Sequence, residues 1–401
     1  TLHAEAGKEQ RLKILHAADL HLGKRFHELS LKEEQEHMLG ILLGFVREQK
    51  PDALLLCGDI YDKARPSAES VEMLNAFLTE LADLPLHVFM IAGNHDSPAR
   101  LSYGASFMAR QRVHIKGDLR SLPEVITLED AWGPVHFVLL PYFHLYEARL
   151  LFPEEADTIE NYDDALERIF EALDLPEGER SVLLSHQHYA ADGIAETSDS
   201  ELNIIGGLEA CSSRLLERFS YAALGHLHRP QALSAPYIRY AGSPLAYSFS
   251  EADQQKSFPL IELRAPGEAA AVEFLPIKAK HPVLRKEGYL KDLIEEADSL
   301  SRREREAFLE ITLLDEERLS HPLRRLQVKY PNVLNMIPKR NAEAEGAPMK
   351  ASERPENKDL LSLFKDFYRE QSGREPDSQE EALLQETLDE LRAEDAERRK
   401  A

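Results

Sequence analysis

Five short polar clusters each follow an apolar run in this chain. In order they are Asp19-Leu20-His21, Gly58-Asp59-Ile60-Tyr61-Asp62, Gly93-Asn94-His95-Asp96, Ser185-His186 and Gly225-His226-Leu227-His228. Each apolar run is short enough for a buried strand. A fold that satisfies all five must bring the ends of at least five strands to one edge. In open α/β sheets that edge, beyond the carboxyl ends of the strands, is where ligands bind. Carboxylate, imidazole and amide side chains suit Mn, Fe or Zn rather than a metal that prefers thiolates.

The strand candidates are Leu12–Ala17, Ala53–Cys57, Leu86–Ala92, Val135–Leu140, Ser181–Leu184 and Tyr221–Leu224. Between the first two, Met38, Leu39, Ile41, Leu42, Phe45 and Val46 recur at helical spacing, and Pro51 stops the helix. Pro66-Ser67 opens a second helix, with Val71, Leu74, Phe77, Leu78 and Leu81 on its buried face. A third runs near Tyr162–Leu173. The β-α-β-α-β order predicts an α/β domain over residues 12–278. Tyr237–Ala241 and Val272–Ile277 have no helices between them, which predicts a second, partly antiparallel sheet.

The 401 residues leave room for more than this domain. From Lys278 the polar clusters stop. A helix around Leu290–Ala297, a strand at Phe308–Leu313, a helix at Leu319–Val328 and a strand at Val333–Ile337 predict a small α+β domain over residues 279–340. Residues 341–357 read as a linker. Over residues 358–401, Leu360, Leu361, Leu363, Phe364, Phe367 and Tyr368, then Leu383, Leu384, Leu388 and Leu391, predict two amphipathic helices. Such a pair buries its faces on its own protein or around a partner.

Asp19, His21 and His228 can hold one metal, and Asn94, His186 and His226 the other. Asp59 is the candidate bridge. His186 follows the apolar strand directly and is favoured over His188. A pair of ions clamps the attacking and leaving oxygens of a displacement at phosphorus. His95 lies beside a ligand and belongs to neither set, so it is the candidate for proton donation to the leaving oxygen. Asp62 and Asp96 are candidates for orienting histidines or turn backbone. Gly58, Gly93 and Gly225 precede ligands, where tight turns need positive φ or close approach.

These motifs match, in order, the pattern of the calcineurin-like metallophosphoesterase superfamily: D-x-H, G-D, G-N-H-[DE], a strand-terminal His, and G-H-x-H. The resemblance implies a four-layer αββα sandwich, the seven ligands named above, and His95 as the catalytic non-ligand. Asp19-Leu20-His21-Leu22-Gly23-Lys24, Ala223–Pro230 and Tyr240-Ala241-Gly242-Ser243-Pro244 are more narrowly similar to the SbcD family. That resemblance implies a DNA repair and recombination nuclease. Its implied activities are 3′-to-5′ exonuclease action on duplex ends and endonuclease action at hairpins, with two divalent ions, most simply Mn²⁺. It also implies a homodimer joined to an SbcC-type ATPase. The small domain would then be a capping domain, and the last helices the ATPase-binding segment.

The net charge of −23 counts against a free-standing nucleic-acid binder, because phosphate contacts need a basic surface. Bound cations or a partner subunit can supply that charge. Lys24, Arg25, His27 and Arg229 adjoin the ligands and either touch DNA phosphate or are solvated. A phosphatase or cyclic-nucleotide phosphodiesterase of the same superfamily, or a scaffold with a vestigial site, are the competing readings. A complete ligand set and the extra domain favour the nuclease. Trp132 reads as a packing residue. Cys57 and Cys211 read as core thiols rather than a disulfide. The polar stretch Thr1–Arg11 lacks the apolar core of a secretory signal, and no run is long enough to span a membrane, so the expected location is cytoplasmic.

Overall fold

The computed structural model describes residues 11–191, 195–199, 210–315 and 319–339, with Lys365 and Glu380. The expected linker lies outside the described residues, as do the C-terminal helices apart from those two positions. The described residues up to Lys339 belong to one unit, Thr1–Lys339.

The elements that frame the site are β1 (Lys13–Ala17), α1 (Lys32–Gln49), β2 (Ala53–Cys57), α2 (Ala68–Ala82), β3 (His87–Ile91), β4 (Val113–Lys116), β5 (Glu124–Asp130) and β6 (Gly133–Leu140). They continue with α3 (Tyr162–Ala172), β7 (Arg180–Ser185), β8 (Tyr221–Leu224), β9 (Gln231–Ala232), β10 (Ile238–Tyr240), β11 (Ser257–Glu262) and β12 (Ala271–Pro276). One six-stranded sheet has the order β12-β11-β1-β2-β3-β4, and the other β9-β10-β8-β7-β6-β5. The central strands of each run parallel, and antiparallel strands close three of the four edges, with β4 parallel to β3 at the fourth.

Alternation along each strand sorts residues into layers. Ile14, Leu55, Phe89 and Ile91 face Phe137, Leu139, Val182 and Leu184 between the sheets. Leu15, Leu54, Leu56, Val88 and Met90 face outward onto α1 and α2. Val138, Leu140, Leu183 and Ala222 face α3. The result is the four-layer αββα sandwich. Strands covered on both faces explain the continuous apolar runs.

The helices start and stop where local chemistry directs. Ser67 caps α2, its hydroxyl accepting the Ser70 N–H at 3.2 Å. Asn161 and Asp164 form a capping box on α3. Lys50 closes α1 in the left-handed region, and Pro51 follows. On α1, Met38, Leu39, Leu42 and Val46 are buried, each contributing about 1.5–3 kcal/mol.

A third, all-parallel sheet follows: β13 (Val283–Gly288), β14 (Phe308–Leu313) and β15 (Val333–Pro338), with α4 (Leu290–Glu296) and α5 (Pro322–Gln327). It has its own core of Leu290, Leu293, Leu309, Ile311, Leu326 and Tyr330. His281 and Lys280, just before β13, pair with Glu34 and Glu33 on α1.

Four expectations are corrected. The segments around Tyr237–Ala241 and Val272–Ile277 do not share a second sheet: β10 joins the sheet of β8, and β12 pairs with β11 in the sheet of β1. Val71 is 45% exposed rather than buried. The helix expected from Leu319 begins at Pro322, because the residue before a proline disfavours helical backbone. Strands β4, β5, β9, β11 and β13 have no counterpart among the expected ones. β5 is charged and lies at an edge, and β11 carries Pro259, which reads as a breaker.

Candidate metal centre

Every candidate ligand leaves a strand at the same edge of the sandwich. Asp19 and His21 follow β1, Asp59 follows β2, Asn94 follows β3, His186 follows β7, and His226 and His228 follow β8. Pairing continues past the strand ends. Asp19 N–H donates to Gly58 C=O (3.1 Å), His21 N–H to Asp59 C=O (2.9 Å), and Leu22 N–H to Ile60 C=O (2.9 Å). The first two clusters are thereby tied side by side.

The backbone is strained where the donors sit. Asp19 (φ 54°), His21 (φ 44°), Asp59 (φ 48°) and His226 (φ 107°) all have positive φ. Non-glycine residues rarely adopt this region, and each such residue costs on the order of 1–3 kcal/mol. Two glycines make room for one ligand. A Cβ on Gly58 would stand 2.1 Å from His186 Nδ1, and one on Gly225 would stand 1.9 Å from the Cys57 carbonyl oxygen.

The donors converge in two groups. His21 Nε2 lies 3.1 Å from His228 Nε2 and 3.5 Å from Asp59 Oδ2. Asp19, His21 and His228 each bring a donor atom within 4.8 Å of the others. In the other group, Asn94 Oδ1 is 3.1 Å from His186 Nε2 and 3.2 Å from His226 Nδ1. Asp59 reaches both, with Oδ1 at 3.4 Å from His186 Nε2. Asp19 Oδ1 accepts the His226 N–H at 2.9 Å. His188 also stands near, its ring 5.9 Å from that of His226.

Burial sets the charge states. It lowers the pKa of His21 to about 3, and that of His228 below its usual value. Burial and the neighbouring His186 lower His226 well below its ordinary value. Burial also acts downward on His186, but the Asp59 carboxylate outweighs it and raises the ring to about 9. Asp59 itself is pushed up by burial and, more strongly, down by His186, His21 and His95. Neutral imidazoles and an ionised carboxylate are the forms that coordinate metal, so a cation binding here would displace the proton from His186. The donor set, with nitrogen and oxygen and no thiolate, fits divalent cations.

His95 is held differently. Its Nδ1 donates to the Asp62 carbonyl at 2.9 Å, and its N–H to Asp59 Oδ1 at 2.9 Å. Its side chain is 19% exposed, against 1% for His21. Nε2 faces the centre, 3.9 Å from Asp59 Oδ2. Distance alone groups it with His21 and Asp59. Its greater exposure sets it apart from the buried candidate ligands.

Asp96 accepts the N–H groups of Gly93 (2.9 Å), Ile60 (3.0 Å) and Tyr61 (2.9 Å), fastening the second loop to the third. Asp62 Oδ1 is 3.6 Å from His21 Nδ1 and accepts from Lys24 Nζ at 3.0 Å. Lys24 is therefore paired within the site rather than spread toward solvent. Arg229 pairs with Glu196 at 2.7 Å. Trp132 packs beneath the guanidinium groups of Arg11 and Arg180.

The sequence reading missed Gln35, Tyr247, Glu251 and Lys256. Gln35, in α1, donates to the His21 carbonyl (2.7 Å) and accepts from Gly23 N–H (2.9 Å). The Tyr247 hydroxyl donates to the Leu20 carbonyl at 2.5 Å. A glutamine inside an apolar helix face was the available signal for Gln35. The other three stand after the last cluster, where no spacing pointed to them.

Comparison with known proteins gives the family. The calcineurin-like phosphoesterase family matches residues 12–230, and the family described as "Type 5 capsule protein repressor C-terminal domain" (SbcD_C) matches residues 279–372. The chain is 30% identical over 324 residues to the SbcD subunit of the SbcCD nuclease of Staphylococcus saprophyticus, covering 80% of this chain and 84% of that protein. Two solved structures, an archaeal phosphodiesterase and a Thermus thermophilus protein, cover 66% and 67% of this chain and all of their own. Their identities are 11% and 13% and their TM-scores 0.27 and 0.38, too low to add to the fold described above. Among the described residues no helix is long and apolar enough to cross a membrane. With the first family spanning most of the sandwich and a relative matched along four-fifths of its length, the chain belongs to the SbcD family of calcineurin-like metallophosphoesterases and is a metal-dependent nuclease of the SbcD type.

Proposed function

We propose that two divalent ions, Mn²⁺ in the working enzyme, are held by Asp19, His21 and His228 on one side and by Asn94, His186 and His226 on the other, with Asp59 shared between them. The observation that carries this is the position of Asp59, within 3.5 Å of a donor nitrogen of each group. When bound, such a pair neutralises a phosphodiester and activates a water as nucleophile.

The protein's own residues do the rest. His95 presents Nε2 to the open side of the centre and gives a proton, or a hydrogen bond, to the leaving oxygen. The Asp62 carbonyl keeps the proton on its Nδ1. Asp96 fixes the loops that carry Asp59 and Asn94. The strained, cross-braced loops hold the donors before any cation arrives.

The substrate in this reading is DNA, cut as a 3′-to-5′ double-strand exonuclease and as a hairpin endonuclease, and the working unit is a homodimer joined to an SbcC-type ATPase in the cytoplasm. The matched relative is named as one subunit of an SbcCD nuclease, which supports a partner subunit. Residues 279–340 are the capping domain and residues 358–401 the ATPase-binding segment, joined by the linker 341–357. An apolar groove of about 420 Å³ beside α2 supports the homodimer. Val71, Tyr103 and Met108 line it, at 45%, 83% and 36% exposure. An exposed apolar cluster of this kind marks a protein contact.

Digestion of end-labelled blunt and hairpin DNA tests the function, with Mn²⁺ and with or without the ATPase and ATP. Shortening from the 3′ end and opening of the hairpin are expected. Hydrolysis confined to small phosphate esters, even with the partner present, would overturn the reading.

A further inference from the structure

The segment Ser243–Lys256 lies beyond the last ligand, yet it grips the first metal group from behind. Glu251 is 1% exposed. Its Oε2 accepts from Lys256 Nζ at 2.7 Å and from Ser243 Oγ at 3.1 Å. Its Oε1 accepts from Ser248 Oγ (3.1 Å) and from Tyr247 N–H (3.3 Å), and stands 3.6 Å from His228 Nδ1. At that distance the contact with the ring is one of charge rather than a hydrogen bond. It still favours the tautomer with the proton on Nδ1.

Lys256 holds the same histidine by its backbone. Its Nζ donates to the His228 carbonyl at 2.9 Å. One buried ion pair therefore fixes His228 at both ring and main chain. The other ring nitrogen, Nε2, is the one that meets His21 Nε2 at 3.1 Å. Tyr247 adds an edge contact to both rings, with centroids 5.4 Å from His21 and 5.7 Å from His228.

The second group is backed differently. His186 Nδ1 donates to the Cys57 carbonyl at 2.8 Å, and His226 turns its Nδ1 toward Asn94. A buried ion pair is a weak source of stability, because desolvation offsets the attraction. Stability alone does not account for one placed here. Carboxylates behind metal-bound histidines orient the ring and raise its basicity.

We propose that Glu251, held by Lys256, is a positioning residue of the first metal site: it sets the tautomer and orientation of His228, and so the affinity of that site alone. The inference rests on the two-metal reading above.

Calorimetric titration of the full chain with MnCl₂ tests it. The wild-type protein binds two ions. In Glu251→Ala one site weakens by about 10–100-fold while the other keeps its wild-type affinity. Glu251→Gln, whose amide oxygen keeps a dipole but no charge facing Nδ1, recovers part of the loss. The second site in the same molecule reports that the fold is intact. The double variant Glu251→Ala/Lys256→Met leaves no lone buried charge and behaves like the single one. Two wild-type affinities in Glu251→Ala overturn the proposal. So does an equal loss at both sites in the single and double variants, which marks a structural role. If the wild-type protein does not bind two ions, the two-metal reading fails first and this inference with it.

Discussion

His21 and His228 are 207 positions apart in the chain, and their Nε2 atoms stand 3.1 Å from each other in the fold. Both rings are 1% exposed, and burial keeps both neutral. Two basic nitrogens turned toward one point beside a carboxylate describe half of a cation site.

Removing one ring should cost one ion. His228→Ala is expected to lower Mn²⁺ stoichiometry from two to one, read by calorimetry. DNA cleavage should fall on the order of 10³-fold, the size of several kcal/mol of lost charge stabilisation.

His95 should behave in the opposite way. His95→Ala is expected to keep both ions and lose about 10²–10⁴-fold in cleavage rate, the range typical of a missing general acid. Parallel measurement of bound Mn²⁺ and of turnover separates the two histidines. Loss of an ion in His95→Ala would make His95 a ligand.

Far from the centre, Arg180 and Asp130 form a buried pair, 3% and 4% exposed. Arg180 also donates to the carbonyls of Gly133 and Arg264. Burial would raise the Asp130 carboxyl, but Arg180 and two backbone N–H groups outweigh it and lower it. A carboxyl lowered on folding stabilises the fold above its unfolded pKa, about 3.9, and loses that contribution as pH falls through the folded value. Asp130→Ala should cost about 3–5 kcal/mol near neutral pH, because it leaves a buried guanidinium unpaired. The deficit against wild type should shrink below about pH 4 in urea melts followed by circular dichroism.

The exposed apolar cluster gives a separate prediction. Tyr103→Glu places a charge on a residue that is 83% exposed at the rim of the groove. Light scattering should show the wild-type chain as a dimer and the variant as a monomer, with Mn²⁺ binding unchanged. A variant that remains dimeric would move the interface elsewhere.

The sandwich was legible because its central strands are buried on both faces, so Ala53–Cys57 and Tyr221–Leu224 read as unbroken apolar runs. The candidate ligands were legible because each follows such a run directly. Not every edge strand was: β5 is charged in sequence and takes its conformation from pairing with β6. Glu251 and Lys256 were illegible for another reason. Their meaning lies in contacts with His228, which the fold supplies and linear spacing does not. Lys24 shows the same limit, since only the fold reveals Asp62 beside it.

Anomalous scattering from a crystal grown with Mn²⁺ puts the two-metal centre to its sharpest test. Two peaks roughly 3.5–4 Å apart are expected, with an Asp59 oxygen bound to both, Asp19, His21 and His228 on one, Asn94, His186 and His226 on the other, and His95 on neither. A single peak, or two peaks that do not share Asp59, would contradict it.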